Sequence, residues 1–188
     1  MRRELTALLG ILMAGALTAG VVATPAIAAE QPAGFARFEK AQAKRKFVVY
    51  APTTTLELPL SSFTSYACGN PAGPSLSAAF GSQSTRTSTY IGLQESPGTS
   101  PCTDGPDGVG PAATFTYEGA KVQVYGECAG GRATCDRSTP AGVKRQAYTT
   151  VTLPGSAVRP TQTYVEVYSQ QVTLAQLREF IRGLVPAT

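Results

Sequence analysis

The stretch Thr163–Leu184, TYVEVYSQQVTLAQLREFIRGL, constrains the fold of this chain more than any other. It reads as an alternating strand, then a capped helix, then a stop signal. Val165 and Val167 fall on one side of the strand and Tyr164, Glu166 and Tyr168 on the other, the period of two that a half-buried strand imposes. Thr173 is placed as N-cap with Gln176 as its reciprocal partner, a T-x-x-Q box that satisfies otherwise orphaned amides. Val172 and Leu177 are spaced to close a hydrophobic staple. Leu174, Leu177, Ile181 and Leu184, widened by Phe180, recur at intervals of three and four, while Gln176, Arg178, Glu179 and Arg182 face elsewhere. Gly183 is positioned as a left-handed cap and Pro186 as the stop. A helix this short is marginal alone, so the sequence predicts that it folds back over the sheet to which its own strand belongs.

The start of the chain sets the compartment. Arg2 and Arg3 precede an apolar run from Leu5 to Val22, and Ala26-Ile27-Ala28 is a small-residue cleavage pattern, so residues 1–28 read as a secretory signal peptide. No transmembrane segment is expected once it is removed, and the protein is expected outside the cell, in part at its wall. Removal of Arg2, Arg3 and Glu4 takes 16 basic and 12 acidic residues to 14 and 11, a net charge of +3. That mild balance does not call for nucleic acid. In an oxidising compartment the four cysteines, Cys68, Cys102, Cys128 and Cys135, imply two disulfides with three pairings open. Cys128 with Cys135, and Cys68 with Cys102, is the favoured set. With no histidine and no paired C-x-x-C knuckles, a zinc site is not expected.

Residues 29–46 read as a basic N-terminal arm, with Phe35 and Phe38 followed by Lys40, Lys44, Arg45 and Lys46. The arm is either a contact for an anionic envelope surface or a solvated extension with one docked phenylalanine. Residues 47–188 then form one domain, expected to be monomeric. Phe47–Tyr50 reads as a first strand, Thr54–Leu60 as a short element, and Phe63–Ser82 as irregular chain around Cys68. Arg86–Gln94 recovers strand character, with Thr87, Thr89, Ile91 and Leu93 on one face, and Glu95–Ala112 is a long loop rich in Gly and Pro. Ala113–Tyr117 and Lys121–Tyr125 form a hairpin through Glu118-Gly119, with Val122 and Val124 inward. A further turn at Cys128–Cys135 and a strand over Gln146–Leu153, ended by Pro154-Gly155, precede the C-terminal unit. The class is therefore α+β: a largely antiparallel sheet, a C-terminal helix packed on one face, and a loop-rich middle.

The absence of histidine excludes Ser-His-Asp and Cys-His machinery within this chain. No G-x-S-x-G, Ser-x-x-Lys, G-x-G-x-x-G or P-loop pattern occurs, and no cofactor is expected. Paired carboxylates need no histidine, so a glycan hydrolase is the remaining enzyme class. Its candidates are Asp104, Asp107, Glu57, Glu95, Glu118 and Glu127, although Asp-Gly pairs such as those in TDGPDG are ordinary turn formers. Tyr125, Tyr148, Tyr164 and Tyr168 decorate strands, either as an aromatic binding face for a protein or glycan or as cross-strand packing.

From Thr114 to Leu184 the chain resembles extracytoplasmic domains of actinobacteria, including C-terminal modules of anti-sigma-factor-like proteins. The matching pattern is the G-x-x-V-x-V hairpin (Gly119, Val122, Val124), the strand TYVEVYS and the closing helix VTLAQLREFIRGL. The resemblance implies a sheet covered by helices, with no catalytic residue. This chain lacks the membrane-spanning and cytoplasmic parts of those proteins, so a regulatory role is not implied. Two disulfides and the stretch Val49–Pro52, VYAP, are similar to secreted protease inhibitors of streptomycetes, whose cysteine spacing differs. Inhibition would display the loop around Cys102. The expectation is a secreted, non-catalytic binding protein, with protease inhibition and then carboxylate-based hydrolysis as alternatives.

Overall fold

The computed structural model describes residues 32, 34–68, 73–85, 87–98, 111–126 and 147–188. The expected signal peptide, Cys102, Cys128, Cys135, Asp104, Asp107 and Glu127 lie outside those residues, as does the expected turn at 128–135. In chain order the elements are α1 (Phe35–Gln42), β1 (Tyr50–Pro52), β2 (Leu60–Cys68), β3 (Gly73–Gly81), β4 (Tyr90–Pro97), β5 (Ala113–Tyr117), β6 (Ala120–Gly126), β7 (Ala147–Leu153), β8 (Thr163–Gln170), α2 (Leu174–Arg182) and β9 (Leu184–Pro186). Strands β2 to β8 form one antiparallel sheet in the order β2-β3-β4-β8-β7-β6-β5, and β1 pairs antiparallel with β9.

Alternation assigns the two faces. Leu76, Ala78 and Phe80 of β3, Ile91 and Leu93 of β4, Val165 and Val167 of β8, Val151 and Leu153 of β7, and Val122 and Val124 of β6 are buried on the core face. The β5–β6 hairpin turns through Glu118 (φ 48°) and Gly119 (φ 73°), a two-residue turn whose left-handed backbone matches the strand twist. The capping box of α2 forms: Gln176 N–H donates to Thr173 Oγ1 at 3.3 Å, and Thr173 N–H to Gln176 Oε1 at 3.0 Å. Leu177, Phe180 and Ile181 are buried, and the Phe180 ring meets Phe80 edge-on at 6.0 Å.

Three expectations need correction. The middle is not irregular around Cys68: Leu60–Cys68 of β2 pairs with Gly73–Phe80 of β3, because Phe63, Leu76, Ala78 and Phe80 supply the alternation that the intervening serines and alanines obscure. Strand β4 starts at Tyr90 and runs through Glu95 to Pro97, so Glu95 is a strand residue and not a loop carboxylate. Gly183 has φ −83° and is not left-handed. It is glycine for space, since a Cβ there would lie 2.9 Å from Thr53 Oγ1. Past it the chain enters β9, so the helix stops ahead of Pro186 as expected.

The predicted first strand is also different in kind. Regular pairing begins at Tyr50, yet Phe47, Val48, Val49, Tyr50 and Ala51 are all buried. An apolar segment can be buried only if its peptide groups find partners. Side chains supply much of what a neighbouring strand would. Gln42 spans the turn after α1, donating to Phe47 O at 3.0 Å and accepting from Val49 N–H at 2.7 Å. Thr163 Oγ1 donates to Val48 O at 2.6 Å, and Ala187 N–H to Val49 O at 2.8 Å. Tyr50 N–H donates to both oxygens of Glu95, at 3.1 and 3.2 Å. Phe35, Phe38 and Ala41 of α1 join the same core, so the helical part of the basic arm is docked, with Phe38 edge-on to Phe63 at 4.9 Å.

Gln42→Leu keeps the volume but strands one buried N–H and one buried C=O. It is expected to lower unfolding free energy by about 2–5 kcal/mol, read by chemical denaturation; a loss within experimental error would contradict the role given to Gln42. Burial raises the Glu95 pKa well above its usual value, against smaller opposing effects of the Tyr50 N–H and the Arg45 charge. A raised folded pKa gives stability that is complete below the unfolded value of about 4.3 and is lost as pH climbs through the folded value. Glu95→Gln keeps an acceptor for Tyr50 and does not ionise. Its Tm relative to the parent should therefore climb as pH rises from acid to mildly alkaline, and a pH-independent difference would contradict this.

Candidate functional site

The face of the sheet opposite the core is lined with tyrosine. Six of the eight tyrosines in the chain lie on it: Tyr66, Tyr90, Tyr125, Tyr148, Tyr164 and Tyr168. Register places them in rows. Gly92, Tyr168, Tyr148 and Tyr125 run side by side across β4, β8, β7 and β6. The next row is polar: Ser77, Gln94, Glu166, Thr150 and Gln123. Beyond it lie Ser96, Tyr164 and Thr152. A polar strip is thus flanked by aromatic rings on both sides.

The rings hold one another in place. Tyr148 and Tyr168 have centroids 4.9 Å apart, and Tyr125 and Tyr148 6.1 Å, within the range of favourable tilted aromatic pairs. Gly92 gives Tyr90 its room, since a Cβ there would lie 2.7 Å from the Tyr90 hydroxyl. Glu166, only 1% exposed, accepts a hydrogen bond from the Tyr148 hydroxyl at 2.5 Å. Gln94 Oε1 and the Tyr66 hydroxyl are buried with no hydrogen-bond partner among the described residues. Cys68 Sγ lies 3.0 Å from Ser75 Oγ at the β2 end of this face.

Burial keeps the phenols protonated. The Tyr66 pKa is pushed up to about 12, first by burial and then by the negative charge of Glu166 and by Tyr168. Tyr164 is raised by burial and by Glu166, partly offset by hydrogen bonds from Thr150 and Tyr148, and Tyr90 is raised by burial. Each keeps its O–H at neutral pH, as an unperturbed phenol with a pKa of about 10 also does. The tyrosine rings of this face are half-buried, whereas Glu166 and Thr150 between them are buried.

Of the residues singled out in the sequence, Tyr125, Tyr148, Tyr164 and Tyr168 are brought together. Tyr66 and Tyr90 join them unforeseen; a period-of-two reading of LSSFTSYAC and YIGLQESP, taken as strands, would have found both. The basic residues lie elsewhere. Lys40, Lys44 and Lys46 are exposed on and after α1, whose Phe38 packs on Phe63, a core-face residue. Arg45 is tied down, donating to Ser65 Oγ at 2.7 Å and Ser75 O at 3.2 Å.

The described carboxylates do not assemble as a hydrolase pair. Glu95 is sealed in the core, and Glu57 and Glu118 occupy turn positions with positive φ. Glu95 and Glu166, the two buried ones, sit on adjacent strands but point to opposite faces, because Glu95 pairs with Val165 and Gln94 with Glu166. Among the described residues no His/Cys/Asp/Glu cluster is suited to a metal ion, and no helix is long and apolar enough to cross a membrane.

Glu166→Gln removes the charge that disfavours Tyr66 ionisation, so the Tyr66 pKa should fall from about 12 while staying above its usual value of about 10, because burial is the larger cause. Alkaline titration of tyrosinate absorbance in the variant and in Tyr66→Phe reads this, and an unmoved Tyr66 transition would contradict it.

Comparison with protein-family models, with curated proteins and with solved structures finds no match for this chain, so its function rests on the residues themselves.

Proposed function

We propose that the protein is a non-catalytic binding protein acting outside the cell or at its envelope, and that it takes a polyhydroxylated polymer, a glycan, on the tyrosine face. The observation that carries this reading is the gathering of six tyrosines around the strip Gln94–Glu166–Thr150. Rings supply stacking area at little entropic cost, and the buried Glu166 between them holds Tyr148 in place. In this reading α2 covers the opposite, core face, supported by the burial of Leu177, Phe180 and Ile181 and by the Phe80–Phe180 contact. Export by residues 1–28 and closure of the cysteines into two disulfides belong to the same proposal.

The test is co-sedimentation of the exported protein with purified host wall polymer. Tyr148→Ala and Tyr168→Ala are each expected to weaken retention by about tenfold or more, the scale of losing one aromatic anchor. Replacing Lys40, Lys44 and Lys46 together by alanine should alter only the salt-sensitive part. Retention that survives loss of both tyrosines but not of the lysines would move the contact to the basic segment and overturn the assignment.

A further inference from the structure

A second site stands apart from the tyrosine face. A shallow groove follows the C-terminal half of α2, lined by Thr53, Thr54, Arg178, Glu179, Arg182 and Gly183. Arg178 and Arg182 are one helical turn apart and so project side by side. Arg178 was expected on the outer face, yet it is half-buried. Its Cζ lies 5.4 Å from the centroid of the Phe115 ring, over the ring face.

The hydrogen bonding of Arg178 is incomplete. Arg178 Nε is buried without a partner, and among the described residues no carboxylate pairs with either guanidinium. A buried charged donor left unmet is costly, and protein interiors normally supply an acceptor, a water or an ion. The surroundings suit an ion. The Thr54 hydroxyl oxygen accepts from Leu56 N–H at 3.4 Å, leaving its own proton to donate. The Gly183 carbonyl, whose negative end would repel an anion, is occupied by Thr53 N–H at 2.7 Å and Thr53 Oγ1–H at 2.9 Å.

Two guanidiniums and Glu179 give the lining a net charge of +1, which one monoanion neutralises. A planar carboxylate is saturated by a single bidentate fork. Donors reaching from two arginines and a threonine instead suit an anion whose oxygens are spread tetrahedrally. We infer that the groove along α2 binds a monoanionic phosphodiester, held by Arg178, Arg182 and Thr54.

Dimethyl phosphate is the probe, titrated into the 15N-labelled protein against sodium chloride at matched ionic strength. The amides of Thr54 and Gly183 should shift saturably, with half-saturation in the low-millimolar range. Arg182→Gln, at an exposed position, should weaken binding severalfold. Arg178→Lys, which keeps the charge but loses the planar fork, should do the same. Acetate should bind more weakly than dimethyl phosphate. Retention of the protein on phosphatidylglycerol vesicles would assign the phosphodiester to a lipid, and saturation by dimethyl phosphate without such retention to a soluble or wall-borne polymer. Shifts that chloride reproduces, acetate binding as tightly, or wild-type affinity in Arg182→Gln would each overturn the inference.

Discussion

The fold depends on how the backbone of Phe47–Ala51 is satisfied inside the core. Five consecutive buried residues bring buried peptide groups with them, and only part of that polarity is met by β9. Gln42, Glu95 and Thr163 meet more of it with side chains. The three come from α1, β4 and β8, so one threaded segment fixes the helix, the middle of the large sheet and the small sheet relative to one another. A polar network of this kind specifies one arrangement strongly because any displacement leaves buried groups unmet.

The same register produces two carboxylates with opposite roles. Glu95 and Glu166 lie on neighbouring strands with pairing partners one residue apart, so alternation sends one inward and one outward. Inward, Glu95 accepts a backbone amide and holds the core. Outward, Glu166 sits among tyrosines whose hydroxyls and rings surround it. A slip of one residue between β4 and β8 would place Glu95 on the tyrosine face and Gln94 in the core. The tyrosine face and the core are thus two consequences of one register.

Local signals were readable from the sequence. The Thr173–Gln176 box, the Glu118-Gly119 turn and the alternation of TYVEVY each act within a few residues and appear in the structure as expected. Nonlocal satisfaction was not readable. Val49 depends on Gln42, Tyr50 on a carboxylate 45 positions away and Val48 on a threonine 115 positions away, and no window of sequence contains those pairs. A carboxylate in the core runs against the usual preference for the surface, so Glu95 read as a loop residue. Strand β2, rich in serine at the sheet edge, concealed Tyr66. Four of the six face tyrosines were legible because their strands were. Gly183 was expected for its backbone freedom, whereas its role is the close approach of Thr53, a tertiary fact.

The two faces divide the tyrosines cleanly, which allows one direct test. Tyr50, whose hydroxyl donates to Pro154 O, and Tyr117, which donates to Leu184 O, belong to the core side, and the other six line the opposite side. With 13C placed selectively on tyrosine rings, every tyrosine can be followed at once while soluble wall-glycan fragments are titrated in. The predicted result is saturable movement of the ring signals of Tyr125, Tyr148, Tyr164 and Tyr168, together with Tyr66 or Tyr90, while Tyr50 and Tyr117 stay fixed. Movement confined to Tyr50 and Tyr117, or no movement at glycan concentrations that retain the protein on the polymer, would contradict the tyrosine face as the binding surface.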